Sequence, residues 1–147
     1  MTRTLIPSSS HQDRRLPRSR RLRRAGTLAA ASVVAVIVWI IAVPAAGLDL
    51  VVHSGPTTQT VGLASVAIVA VVAGAVAWVT LAILERVARG ARLLWMILAW
   101  TVLALSLLGP ISLAVGAGTV WALLTMHVVV GATLIFGLTR FAAPRDE

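Results

Sequence analysis

RRLRRAGTLAAASVVAVIVWIIAVPAAGLDL, residues 20–50, decides the fold. Arginines crowd its first five positions, and no other charge follows until Asp49. The apolar run from Ala25 to Leu48 is 24 residues long. At about 1.5 Å per residue it reaches roughly 36 Å, enough for a hydrocarbon core about 30 Å thick with some tilt. Inside lipid every backbone N–H and C=O must find a partner within the protein, so this run is predicted to be a helix. Pro44 and Gly47 mark its far end.

The same reading extends along the chain. Spans are predicted at about 25–48, 61–84, 93–113 and 119–138. Between the first two, 49–60 is a polar connection with a Ser54-Gly55-Pro56 turn signal. Leu48, Leu50 and Val52 alternate there with Asp49, Val51 and His53, which suits a short extended piece. Glu85 to Arg92 is an arginine-bearing turn. Gly109-Pro110 should kink or end the third helix, and Gly116 and Gly118 mark the bend into the fourth. A β-barrel is excluded, because barrel strands need alternating ten-residue segments and these runs are continuous. The fold class is therefore all-α, a four-helix transmembrane bundle within 25–140. Flanking it are an Arg-rich tail over 1–24, expected to be disordered, and a short tail over 141–147.

Charge orients the bundle. All thirteen basic residues are arginine, and the formal net charge is +8. Eight arginines lie between Arg3 and Arg24, three between Arg86 and Arg92, and two at Arg140 and Arg145. An even number of spans puts these patches on one side, which the positive-inside rule makes cytoplasmic. The expected location is the plasma membrane, with both termini inside. Arginine used without lysine suits a GC-rich genome. A cleaved signal peptide ending near Val43-Pro44-Ala45 is the competing reading, but signal h-regions run only about 7–15 residues.

Composition narrows function mainly by exclusion. With 59% apolar and 12% charged residues, a soluble domain is ruled out. The positive charge meets anionic lipid headgroups at the Arg-rich tail, not nucleic acid, since no basic surface with an aromatic platform accompanies it. There is no cysteine, so disulfides and thiolate chemistry are out. No Ser/His/Asp set, HExxH or phosphate-cradling Gly loop is present, so neither an enzyme nor a cofactor is expected.

His127, about 12 Å into the fourth span, is the candidate intramembrane polar site. Against a relay stands the plainer reading of an imidazole bonded to a neighbouring helix, with Gly131 one turn on letting that helix come close. Asp49, His53 and Gln59 form a candidate outer-loop site, although two metal-type ligands without a third are weak, and solvation of the loop explains them as well. Ala67, Ala70, Gly74 and Ala77 recur at helical spacing as a packing stripe, closing the bundle internally or a homodimer. Ser65, Thr80, Thr101, Ser106 and Ser112 should bond helix carbonyls. Glu85 and Arg89 read as an exposed i,i+4 pair. Trp95 and Trp121 read as belt anchors at the membrane boundary, and Trp39, Trp78 and Trp100 as packing residues.

With these landmarks in place, the chain resembles a family of small actinobacterial membrane proteins classed as a domain of unknown function. The resemblance rests on Gly47-Leu48-Asp49-Leu50, Thr58-Gln59-Thr60-Val61-Gly62, Ser106-Leu107-Leu108-Gly109-Pro110, and Met126-His127 with Gly131. It covers roughly Arg24 to Arg140. It implies a multi-pass membrane location and supplies no activity. Two functions remain: a non-enzymatic partner subunit or envelope-associated component, and a small transporter or channel subunit. A transporter would want an intramembrane carboxylate, which the spans lack.

Overall fold

The computed structural model describes residues 16–140. The expectations for 1–15 and 141–147 lie outside these residues. Helix α1 spans Leu16–Ile40 and runs into a π-helical turn, Ile41–Ala45. Strands β1 (Val51–Ser54) and β2 (Thr57–Thr60) follow, then α2 (Leu63–Val87), α3 (Ala91–Ser106), α4 (Leu108–Leu113) and α5 (Ala117–Thr139). Four stretches are long and apolar enough to cross a membrane: Leu22–Ala45, Leu63–Val87, Ala91–Leu113 and Ala117–Thr139.

Helix α1 begins inside the segment expected to be disordered. Arginine is a good helix former, and Pro17 falls in the first turn, where a missing N–H costs nothing. The far end of the first span comes earlier than expected. Pro44 has no N–H to give, and the helix widens around it: Ala46 N–H reaches Ile41 O at 2.9 Å, five residues back. Gly47, at φ +66°, then turns the chain out.

Pro110 acts at a distance. It offers no N–H to the carbonyl four residues earlier, that of Ser106, and the helix breaks at Leu107 between α3 and α4. The serine and threonine hydroxyls bond helix carbonyls: Thr80 to Val76 O at 2.8 Å, Thr101 to Ile97 O at 2.8 Å, Ser112 to Leu108 O at 2.6 Å.

Successive spans run antiparallel, α1 beside α2 and α5, and α3 beside the same two. The start of α1, the α2–α3 turn and the end of α5 therefore share one end of the bundle. That end carries every arginine among the described residues. The hairpin of β1 and β2 lies at the other.

Lipid gives helices no hydrophobic reason to associate, so close packing has to do it, and small residues permit that. On α2, Ala70 and Gly74 are buried. A Cβ on Gly74 would lie 2.9 Å from Leu28 Cγ of α1 and 3.6 Å from Leu134 of α5. On α5, a Cβ on Gly131 would meet Leu103 of α3 at 2.6 Å, and Gly137 receives Thr27 of α1 closer still. The remaining core is three small clusters stacked along the axis, centred on Leu123, Met126 and Leu138. Large side chains such as Val69, Val76 and Leu105 face outward, as lipid-exposed positions should.

Candidate functional site

The hairpin end is a polar cap built on backbone pairing. β1 and β2 are antiparallel with Val52 opposite Gln59 and His53 opposite Thr58. Gly55 at φ +65°, followed by Pro56, gives the two-residue turn the sign pattern of type II′. A third strand-like piece joins from far along the chain: Val115 N–H donates to Val51 O at 2.9 Å, and Val52 bridges Ala114. Trp39 Nε1 donates to Val61 O at 2.8 Å and Thr119 Oγ1 to Asp49 O at 3.1 Å, fastening the cap to α1 and α5.

This cap separates the outer-loop candidates. His53 and Gln59 occupy neighbouring registers, and side chains alternate across a strand, so they point to opposite faces. The His53 Nδ1–H donates to Leu113 O at 3.3 Å. Asp49 precedes β1, is exposed, and contributes its carbonyl, not its carboxylate, to the bond from Thr119. Among the described residues no group of three His, Cys, Asp or Glu side chains is placed to hold a metal ion.

His127 is half-buried, and its Nδ1–H donates to Leu123 O at 2.8 Å. The expected bond to a neighbouring helix is replaced by one within its own helix, because the carbonyl four residues back lies within direct reach. Gly131, on the same face, is filled by Leu103, which is the close approach its size allows.

The densest chemistry is at the arginine end, where the sequence reading pointed elsewhere. Arg24 Nη2 donates to Glu85 Oε1 at 2.5 Å, joining α1 to α2. The two side chains are 8% and 18% exposed. Glu85 was expected to pair along its own helix with Arg89, but antiparallel packing brings the start of α1 to the end of α2 and makes Arg24 the partner. A signal was available: among the described residues, Glu85 is the one acid beside the arginine patches. One turn inward, Leu81, Trp95 and Leu138 pack together. Trp95 is 3% exposed, a core residue and not a belt anchor, and its Nε1–H has no hydrogen-bond partner. Trp100, expected as a packing residue, is 46% exposed and sets its ring edge-on to Phe136 at 6.2 Å. Trp121 is exposed at the opposite end.

A family model described as a family of unknown function, DUF6069, matches residues 15–144. The chain belongs to the DUF6069 family. The match takes in all four spans, the cap and the Arg24–Glu85 pair, so the whole bundle is the family's unit. No curated protein and no solved structure matches this DUF6069 chain. Within the matched residues lie four helices long and apolar enough to cross a membrane.

Proposed function

We propose that this DUF6069 chain is a multi-pass protein of the plasma membrane, with both termini in the cytoplasm, that works as a non-enzymatic partner subunit. One observation carries the role: most of the hydroxyls of the spans, the His127 imidazole and the Arg24–Glu85 pair bond within the protein itself. Hydroxyls bond their own helix carbonyls, His127 bonds Leu123 O, and Arg24 closes on Glu85. What the spans present outward is apolar surface, the kind a neighbouring membrane helix can cover.

Orientation is supported by the gathering of the described arginines at one end. Since the chain has no cysteine, Thr57→Cys and Gly90→Cys can each be labelled with an impermeant thiol reagent on intact cells. Labelling of position 57 alone is expected; labelling of position 90 from outside would overturn the orientation. For the role, photo-cross-linkers at Val69 and Ile97, both lipid-facing, should capture a defined membrane protein in native membranes. Capture of lipid alone at both positions would overturn the subunit reading.

A further inference from the structure

We propose that the turn between α2 and α3 binds an anionic phospholipid, with the phosphate held by Arg89 and Arg92 and an acyl chain laid over Val87 and Leu93. The turn is short: α2 ends at Val87 and α3 begins at Ala91. Arg86, Arg89 and Arg92 fall within it or beside it, and all three are exposed.

Charge complementarity calls for an anion. All nine arginines of residues 16–140 lie at this end, Arg86, Arg89 and Arg92 among them, against one carboxylate, Glu85. That carboxylate is engaged by Arg24 at 2.5 Å and lies half-buried between helices. The other described acid, Asp49, is at the far end of the bundle. A guanidinium presents a planar fork that matches two phosphate oxygens, so arginine is suited to a phosphodiester.

The apolar neighbours call for a lipid and not a soluble anion. Val87 is 81% exposed, the highest value among the large apolar side chains of the described residues, and Leu93 is 67% exposed. They flank the arginines on either side of the turn. Helix α2 has 25 residues, about 37 Å, so its end outruns a hydrocarbon core of about 30 Å and reaches headgroup depth. Guanidinium and apolar surface thus meet at the level where phosphate and acyl chain join. The site needs a membrane but not a particular membrane face, so it can fail while the orientation above stands, and the reverse.

The test uses the full chain purified in mild detergent, supplied with equal phosphatidylglycerol and phosphatidylcholine, and weighed intact by native mass spectrometry. The parent should retain phosphatidylglycerol preferentially. Each arginine near a lipid surface is worth roughly fivefold, so Arg89→Gln/Arg92→Gln should cut that preference about thirtyfold. Arg89→Lys/Arg92→Lys keeps the charge that insertion uses but loses the fork, and should still weaken retention severalfold. Arg140→Gln, one residue past α5, should change it less than about twofold, since it removes a charge at the same end while leaving the residues of the turn intact. The proposal is overturned if either double variant retains lipid like the parent, or if Arg140→Gln matches the Gln pair. Displacement by soluble glycerol phosphate at concentrations comparable to the lipid would overturn it too, because the apolar half would then contribute nothing.

Discussion

Removing the carboxylate of Glu85 should cost far more than an exposed ion pair would. Its oxygen sits 2.5 Å from Arg24 Nη2, with the two side chains 18% and 8% exposed. With charge centres about 4 Å apart and an effective dielectric near 20, the gross attraction is about 4 kcal/mol. Desolvating the two ions cancels much of it, so the pair's net worth against apolar residues is small. Breaking it from one side is a different matter. Glu85→Leu takes this acceptor from the more buried guanidinium and should cost about 3 kcal/mol, and Arg24→Met takes this donor from the more exposed carboxylate and should cost about 2 kcal/mol. The double variant Arg24→Met/Glu85→Leu should return to within about 1 kcal/mol of the parent. The assay is reversible unfolding in mixed micelles with rising SDS, followed by helicity and tryptophan fluorescence. If the double variant loses the sum of the two singles, the groups are not coupled and the burial argument fails.

The same assay checks four further positions. Gly137→Ala should destabilise by about 2 kcal/mol, because the new Cβ meets Thr27, whose β-branched side chain cannot swing away. Gly131→Ala meets the flexible end of Leu103 at 2.6 Å and should cost about half as much; equal costs would refute the distinction. Trp95→Phe removes an indole N–H that has no partner, so the lost area is offset and the change should stay within about 1 kcal/mol. A loss of about 3 kcal/mol or more would mean the N–H is bonded. His127→Leu should also stay within about 1 kcal/mol, and in proteoliposomes it should leave any ion flux unchanged; a lost flux would favour the transporter alternative.

The long-range constraint of the bilayer made the fold readable. Runs as long as Ala25–Leu48 have one outcome in hydrocarbon, and Pro44, Gly55-Pro56, Pro110 and Gly116 punctuate them where the chain bends. The errors came from effects that a local window does not contain. The helix break lies at Leu107, three residues before Pro110, because the carbonyl that proline orphans belongs to Ser106. The cap was only hinted at by alternation, since its third member, Ala114-Val115, arrives from some sixty residues downstream. Glu85 has a good local partner in Arg89, and only the neighbour relation of α1 and α2 reveals the better one.

What the sequence left open was azimuth, the direction each helix faces, and the reason is physical. In water an inward face is marked by apolarity, but these spans are apolar all round, so polarity carries no phase. Size carries it instead. On α2 the buried positions Val66, Ala70, Gly74 and Leu81 include the small residues that permit close approach, which is why that face could be read. On α3 the marker misleads, because the inward stripe begins with the largest side chain, Trp95, and continues through Ala99 to Leu103. Trp95 sits in a cluster with Leu81 and Leu138 against which the small Ala77 and Ala99 pack, a complementarity between helices that none shows alone. Trp100, five residues on, is rotated about 140° from Trp95 and so faces lipid. Depth along a span is therefore a property of its own sequence, whereas the face it buries belongs to the pair of helices that meet.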